Sequence, residues 1–213
     1  EKTEWFLRGN WAPLSEEKEL NDLKVDGSIP TELDGIYVRT GPNPKDGKGS
    51  HWFLGDGMVH GIRLKKGKAE WYRNRFVQTP DITEPLTDPM AGLGDLRRGK
   101  GNTHVVAHNE QIMCLEEAHW PWTINADLET TGVLNYEGKL DCSMTAHPKI
   151  CPITGELLAF SYFSFEQPYL KYIRVSADGK LQQVEGIELP EMVMMHDFNI
   201  CLLYTSPSPR DDT

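Results

Sequence analysis

Two histidines in the second half of the chain have the side-chain type and the spacing of a metal site. His147 and His196 are 49 residues apart. A neutral imidazole is a ligand of intermediate softness, which suits iron, zinc, copper or nickel. Two histidines do not choose among these metals, and a single histidine is more often a packed or surface residue than a ligand. We interpret the remaining five in that way: His51, His60, His104, His108 and His119.

The segment between the two histidines predicts the strands that would position them. Four alternating runs, separated by turn residues, lie near Thr145–Cys151, Glu156–Phe163, Tyr169–Val175 and Leu181–Leu189. A new strand is expected to begin near Val193. Four strands followed by a restart make up one blade of a β-propeller, whose repeat is about 40–50 residues. Because the first strand of a blade lines the central channel, both histidines would face a common axis.

The rest of the chain also has the pattern of short strands and tight turns. Hairpins are predicted for Met58–Leu64 with Ala69–Val77, and for Thr103–His108 with Gln111–Leu115. The acidic piece Ser15–Leu20 is a candidate for one short helix. These features predict an all-β fold, most simply part of a β-propeller. An antiparallel sandwich is the alternative, and in a sandwich the two histidines would not converge.

Composition limits the class of protein. The chain has 213 residues, of which 38% are hydrophobic and 25% charged, and its mean hydropathy is -0.50. These are the proportions of a globular domain, and no run of about 18 apolar residues predicts a membrane span. The net charge of -10 argues against nucleic-acid binding, which needs a basic face. Four cysteines without a CxxC pair predict reduced thiols in a cytoplasmic setting, or in a plastid if the source is photosynthetic.

Four motifs occur along the chain in a definite order. They are LDGIYVRTGPNP at 33–44, HWFLGDGMVH at 51–60, TAHPK at 145–149 and MMHDF at 194–198. In sequence and spacing they resemble the carotenoid cleavage oxygenase family, and the resemblance covers roughly residues 5–200. It implies a seven-bladed β-propeller, of which this chain would hold the N-terminal blades. It also implies Fe(II) bound on the propeller axis by four histidines.

The resemblance assigns particular residues to that site. His147 matches the first iron ligand and His196 the second, while the third and fourth ligands would lie in later blades that this chain lacks. Glu117 matches a carboxylate that orients a ligand imidazole through its other ring nitrogen. Thr103 matches a threonine that approaches the iron. Glu116 stands where stilbene-cleaving relatives carry lysine and many carotenoid cleavers carry tryptophan, which favours a polyene substrate over a stilbene.

The implied activity is cleavage of a conjugated double bond of a carotenoid or apocarotenoid by O2, which gives two carbonyl products. A stilbene-cleaving dioxygenase of the same family is the first alternative. A hydrolytic propeller such as a lactonase and a non-catalytic propeller scaffold are the others. The resemblance leaves room for peripheral contact of the intact protein with a membrane.

The chain divides into two parts by composition. Residues 1–200 are assigned to the N-terminal part of the oxygenase propeller, which by itself is expected to be inactive. Residues 201–213 contain two prolines that would break any strand, and we interpret them as a non-native tail.

Overall fold

The computed structural model describes residues 4–200, and its main elements are three antiparallel sheets of four strands each. The first sheet has the spatial order β1-β4-β3-β2. Its strands are β1 (Glu19–Asn21), β2 (Gly35–Pro42), β3 (Gly57–Lys65) and β4 (Lys68–Phe76).

The second and third sheets are simple meanders in which each strand pairs with the next one along the chain. The second contains β5 (His104–His108), β6 (Gln111–Leu115), β7 (Trp122–Ile124) and β8 (Thr130–Val133). The third contains β9 (Lys149–Ile150), β10 (Leu157–Ser161), β11 (Leu170–Val175) and β12 (Leu181–Ile187).

Helical structure is confined to short turns between these strands. The one α-helix described is α1 (Pro80–Thr83), and short 3-10 helices lie at Trp5–Leu7, Gly9–Trp11, Pro89–Gly92 and Leu96–Arg98. Across residues 4–200, no helix has the length and apolar character needed to cross a bilayer.

The middle sheet is buried on both of its faces. Met113 and Leu115 on β6 enter a core shared with the third sheet, together with Leu157 and Ile173. Cys114, between them, points the opposite way into a core shared with the first sheet. Side chains alternate between the two faces of a strand, so one run of apolar residues supplies both cores. Face-to-face stacking of four-stranded sheets is the packing of propeller blades, and the all-β prediction is confirmed.

Both predicted hairpins are present. The turn between β5 and β6 consists of Asn109 and Glu110, with φ values of 46° and 61°. Positive φ at both central residues gives the turn a twist that matches antiparallel strands. The predicted turns inside segment 145–189 are found as well, and Cys114, Cys142 and Cys151 are free thiols, as expected.

The predicted helix at Ser15–Leu20 is wrong. The carboxamide of the fully buried Asn74 accepts a hydrogen bond from Lys18 N (2.8 Å) and donates one to Glu16 O (3.0 Å). Glu19 then opens β1 and pairs with Arg73 across the sheet. These contacts stabilise the extended backbone of this segment, and they outweigh its weak local preference for a helix.

The strands next to the two histidines are also shorter than predicted. Of the run Thr145–Cys151, only β9 has strand structure. Pro148 has no N–H to donate, and His147 N donates its hydrogen bond to Thr145 Oγ1 (3.2 Å) instead of to a neighbouring strand. The strand expected near Val193 is wrong, since residues 188–200 contain no strand. That segment has no neighbouring strand to pair with in the described part of the chain. Residues 201–213, assigned to a tail, lie outside the described residues.

Candidate metal centre

Three side chains from three separate chain segments converge at one point. Glu117 follows the end of β6 by two residues, and His147 precedes the start of β9 by two. His196 lies in the irregular segment beyond β12. A possible ligand atom of each lies within 4.8 Å of a ligand atom of the others. Among the residues described, this is the group of His, Cys, Asp and Glu side chains with the spacing of a metal site.

The carboxylate of Glu117 lies between the two imidazoles. Glu117 Oε1 is 3.7 Å from His147 Nε2 and 3.0 Å from His196 Nδ1. The centroids of the two imidazole rings are 4.6 Å apart, with the rings 68° from parallel. Two nitrogens bound to one ion are separated by about 3–4 Å when each metal–nitrogen bond is about 2.0–2.2 Å. Small side-chain adjustments would therefore bring both rings onto a single ion.

Two polar atoms of this group are buried without a hydrogen-bond partner. They are His147 Nε2 and Glu117 Oε1. An unpaired buried polar atom costs about 1–3 kcal/mol, so such atoms are rare unless a ligand, ion or water completes them. The 3.0 Å approach of His196 Nδ1 is close enough for a hydrogen bond, but its angles leave Oε1 unpaired.

Burial also sets the protonation state of His147. Desolvation lowers the pKa of this imidazole and outweighs the opposing effect of the Glu117 carboxylate. A lowered pKa keeps the ring neutral at pH 7, and only a neutral imidazole has a lone pair to bind a metal.

Tyr162 is a member of the site that the sequence did not reveal. Its hydroxyl donates a hydrogen bond to Glu117 Oε2 at 2.9 Å. Burial, followed by the nearby Glu117 carboxylate, raises the pKa of this phenol, so it stays protonated and remains a donor. The bond holds one carboxylate oxygen and leaves Oε1 facing the histidines. One signal in the sequence could have indicated this role: Tyr162 lies within the predicted strand 156–163, and a tyrosine hydroxyl that becomes buried requires a hydrogen-bond partner.

His104 positions the backbone next to His147. Its Nδ1 lies 2.8 Å from Ala146 O, and its ring is 5.7 Å from the ring of His147. His108 similarly contacts Gly155 O through Nε2 at 2.9 Å. Each of these two histidines uses a ring nitrogen to hold the loop around β9, which agrees with their interpretation as packed residues.

His196 is placed by its neighbours, although 58% of its side chain is exposed. Asp197 forms an ion pair with Lys149 at 2.6 Å. The Phe198 ring packs on Phe160, with 5.0 Å between centroids. Contacts on β9 and β10 therefore hold the segment that carries His196, even though it is not a strand.

Thr103 and Glu116 lie near this group but do not join it. Thr103 Oγ1 donates to Asn102 Oδ1 at 3.0 Å, and within residues 4–200 no hydrogen bond connects it to the three converging side chains. Glu116 accepts hydrogen bonds from Ala118 N and His119 Nδ1. The two adjacent carboxylates thus point in different directions, as expected, although both lie just beyond the end of β6.

The donor set fits a metal ion. Two imidazoles and a carboxylate suit a divalent metal of the first transition series better than they suit calcium or magnesium, which prefer oxygen ligands. An ion would complete His147 Nε2, the buried nitrogen of a neutral ring that has no hydrogen-bond partner among the described residues. The assignment of particular residues as ligands remains a prediction.

Comparison with known proteins gives a consistent result. The retinal pigment epithelial membrane protein family model matches residues 11–205. The chain is 38% identical to carotenoid 9,10(9',10')-cleavage dioxygenase 1 of Arabidopsis thaliana, covering 93% of this chain and 43% of the relative. It is 39% identical to a carotenoid cleavage oxygenase of Mycobacterium tuberculosis, covering 97% and 44% respectively. The chain therefore spans less than half the length of these relatives.

Solved structures show the same fold. Lignostilbene dioxygenase of Pseudomonas brassicacearum matches with a TM-score of 0.78 and 32% identity, covering 91% of this chain and 44% of that one. Cobalt-substituted apocarotenoid oxygenase of Synechocystis matches with a TM-score of 0.71 and 23% identity, covering 88% and 45%. These oxygenases are seven-bladed β-propellers, and the three stacked sheets are a part of that architecture. The chain belongs to the retinal pigment epithelial membrane protein family, which is the family of the carotenoid cleavage oxygenases.

Proposed function

We propose that the protein containing this chain is a non-haem Fe(II) dioxygenase that cleaves a conjugated double bond of a carotenoid or apocarotenoid. The observation that carries the proposal is the convergence of His147, His196 and Glu117, with His147 Nε2 buried and unpaired. Relatives named as carotenoid cleavage dioxygenases or oxygenases, at 37–39% identity, support the reaction class.

In this proposal the two histidines are ligands and Glu117 supports them. His196 Nδ1 faces Glu117 Oε1, so its Nε2 is the nitrogen left for a metal. His147 would use Nε2, the buried nitrogen without a partner. Tyr162 holds the other oxygen of Glu117 and so fixes the carboxylate between the rings. A carboxylate behind a ligand imidazole fixes its tautomer and raises its basicity.

Fe(II), when bound, would supply the redox chemistry by which O2 adds to the double bond and two carbonyl products form. The residues of this chain contribute orientation and protonation state. Burial keeps His147 neutral and ready to bind. Thr103, just before β5, is proposed to border the space next to the metal and so to limit access to it.

The substrate class is argued from Glu116. A carboxylate at this position cannot hold a phenol oxygen in the way that the lysine of stilbene-cleaving relatives does, which favours a polyene. The competing candidate is a stilbene-cleaving dioxygenase. It is supported by the TM-score of 0.78 to lignostilbene dioxygenase at 32% identity.

The test uses the full-length protein that contains this chain. Iron content is measured after reconstitution, and a C40 carotenoid, an apocarotenal and a hydroxystilbene are offered under O2. Carbonyl products from a polyene, with iron near one equivalent, are the expected result. His147→Ala should abolish both, whereas His108→Ala, a histidine outside the cluster, should keep both. Cleavage of the stilbene alone would favour the competing candidate, and iron-independent turnover would contradict the proposal.

A further inference from the structure

One side chain replaces a strand contact in the loop that carries His147. β9 begins two residues after His147, so Ala146 lies outside the paired part of the third sheet. Ala146 is fully buried, and its carbonyl oxygen lies 2.8 Å from His104 Nδ1. Within residues 4–200, no other donor bonds to this oxygen. The His104 imidazole therefore satisfies a buried carbonyl that a neighbouring strand would otherwise satisfy.

The position of His104 in β5 directs its ring into this contact. His104 opens β5 and lies opposite Leu115 on β6. Residues directly opposite each other project from the same face of a sheet, and Leu115 enters the core shared with the third sheet. His104 therefore faces the loop before β9. Because a carbonyl oxygen only accepts hydrogen bonds, Nδ1 of His104 carries the ring proton.

The His104 ring also lies beside the ring of the proposed ligand. The centroids of the His104 and His147 rings are 5.7 Å apart, with the rings 32° from parallel. This separation is within the range of about 4.5–7 Å at which aromatic rings pack. A change at His104 is therefore felt next to the proposed metal, although His104 is not among the side chains that converge on it.

The rest of the loop has few restraints. Thr145 N donates to Phe160 O at 2.8 Å, so the loop starts from a point fixed on β10. His147 N donates only to Thr145 Oγ1, within the loop itself (3.2 Å). In the described part of the chain, the hydrogen bond from His104 is the one that ties residues 146–148 to another sheet. The placement of His147 therefore depends on it.

We propose that His104 is a positioning residue for the metal centre, which acts by holding the backbone of the ligand His147 through Ala146 O. The inference rests on the proposed function, because His147 is taken to bind the metal. A ligand that is already held in its bound orientation loses less conformational freedom on binding, which increases affinity. Loss of the contact should therefore weaken metal binding even though no ligand is removed.

Three variants separate this hydrogen bond from the packing around it. His104→Phe keeps a ring beside His147 but has no N–H for Ala146 O. His104→Asn keeps a donor where Nδ1 lies, because both nitrogens are bonded to Cγ, but it lacks the outer part of the ring. His108→Phe is the matched control. His108 projects from the same face of β5 and holds Gly155 O through Nε2 at 2.9 Å, and it does not belong to the converging group.

The test measures binding of cobalt(II) to the full-length protein by competition with a chelator. Cobalt(II) is the probe because its visible spectrum reports the geometry of its ligands. His104→Phe is expected to raise the Kd about 10–100-fold, the effect typical of losing a partner that orients a ligand imidazole, and to change the spectrum. His104→Asn should stay within threefold of the wild type, because it retains the donor.

His108→Phe should also stay within threefold and leave the spectrum unchanged. Both phenylalanine variants lose a hydrogen bond to a backbone carbonyl, so both should lower the midpoint of urea unfolding. A purely structural role of His104 would therefore affect the two variants alike in stability and in metal binding.

An unchanged Kd in a folded His104→Phe variant, or an equal rise in His108→Phe or His104→Asn, would overturn the inference. If circular dichroism shows that His104→Phe does not fold, His104→Leu, which also lacks the donor, decides by the same ratio. No cobalt binding by the wild type would overturn the proposed function and this inference together. Tight binding by the wild type that His104→Phe retains would overturn this inference alone, so the two failures are distinct.

Discussion

Replacing Glu117 by glutamine is expected to weaken metal binding without disturbing the fold. The Glu117 Oε1 atom lies 3.0 Å from His196 Nδ1 and 3.7 Å from His147 Nε2, so its charge acts on both proposed ligands. Glutamine keeps the shape and can still accept the Tyr162 hydroxyl. It removes the negative charge and can turn an N–H toward His196 Nδ1, which is itself expected to carry a proton.

The expected loss of Fe(II) affinity can be estimated from what carboxylates behind ligand imidazoles contribute in other metal sites. Loss of an outer carboxylate that supports a ligand imidazole typically costs about 10–100-fold in metal affinity, or roughly 1.4–2.7 kcal/mol. We expect the Kd for Fe(II) to rise by that factor. His147→Ala and His196→Ala should lose iron altogether, because each removes a ligand rather than its support.

The assay is competition with a chromophoric chelator, carried out anaerobically on the full-length protein. The neighbouring carboxylate supplies the control, since Glu116 bonds to His119 and faces away from the cluster. Glu116→Gln should change the Kd by less than threefold. An unchanged Kd in Glu117→Gln, or an equal loss in Glu116→Gln, would refute the reasoning that Glu117 alone supports the ligands.

Three further predictions concern the stability of the fold. Tyr162→Phe should destabilise the protein by about 1 kcal/mol in urea unfolding, because it removes the part-buried hydrogen bond to Glu117 Oε2; an unchanged midpoint would contradict that contact. Asn74→Ala should speed amide hydrogen exchange at Lys18, whose N–H it bonds, while exchange at Ile173 in β11 serves as the control and stays slow. Burial, followed by Arg39, lowers the pKa of His60 from 6.5 to about 4. The unfolded chain therefore binds more protons there, so stability should fall as pH drops from about 6.5 to about 4, and His60→Gln should flatten that part of the profile.

Much of the sheet structure followed from the sequence because strand patterns are local. The alternation of apolar residues in 58–64 and in 111–115 can be recognised without knowledge of distant contacts. Turn residues can be recognised in the same way, as with Asn109-Glu110 just before the second run. The convergence of His147 and His196 was predictable for a related reason. A spacing close to one blade repeat brings equivalent positions of neighbouring blades together.

The features that the sequence did not predict share a physical cause: in each case a residue distant in the chain determines the local structure. Ser15–Leu20 is extended because Asn74, more than 50 residues away, binds its backbone. The contact between Tyr162 and Glu117 joins residues 45 positions apart, and no local pattern encodes it. The segment around Val193 has strand-like composition, but a strand forms only where another strand can satisfy its backbone groups.

The two consecutive carboxylates just beyond β6 turn in different directions. The strand carries buried residues on both faces, so the chain leaves it with side chains directed to both sides. Glu117 turns toward His196 and Tyr162, and Glu116 turns toward His119. Moving the register of β6 by one residue would exchange the two carboxylates and, at the same time, expel Met113 and Leu115 from their core. The packing of β6 between its neighbouring sheets therefore fixes which of the two carboxylates supports the proposed metal ligands.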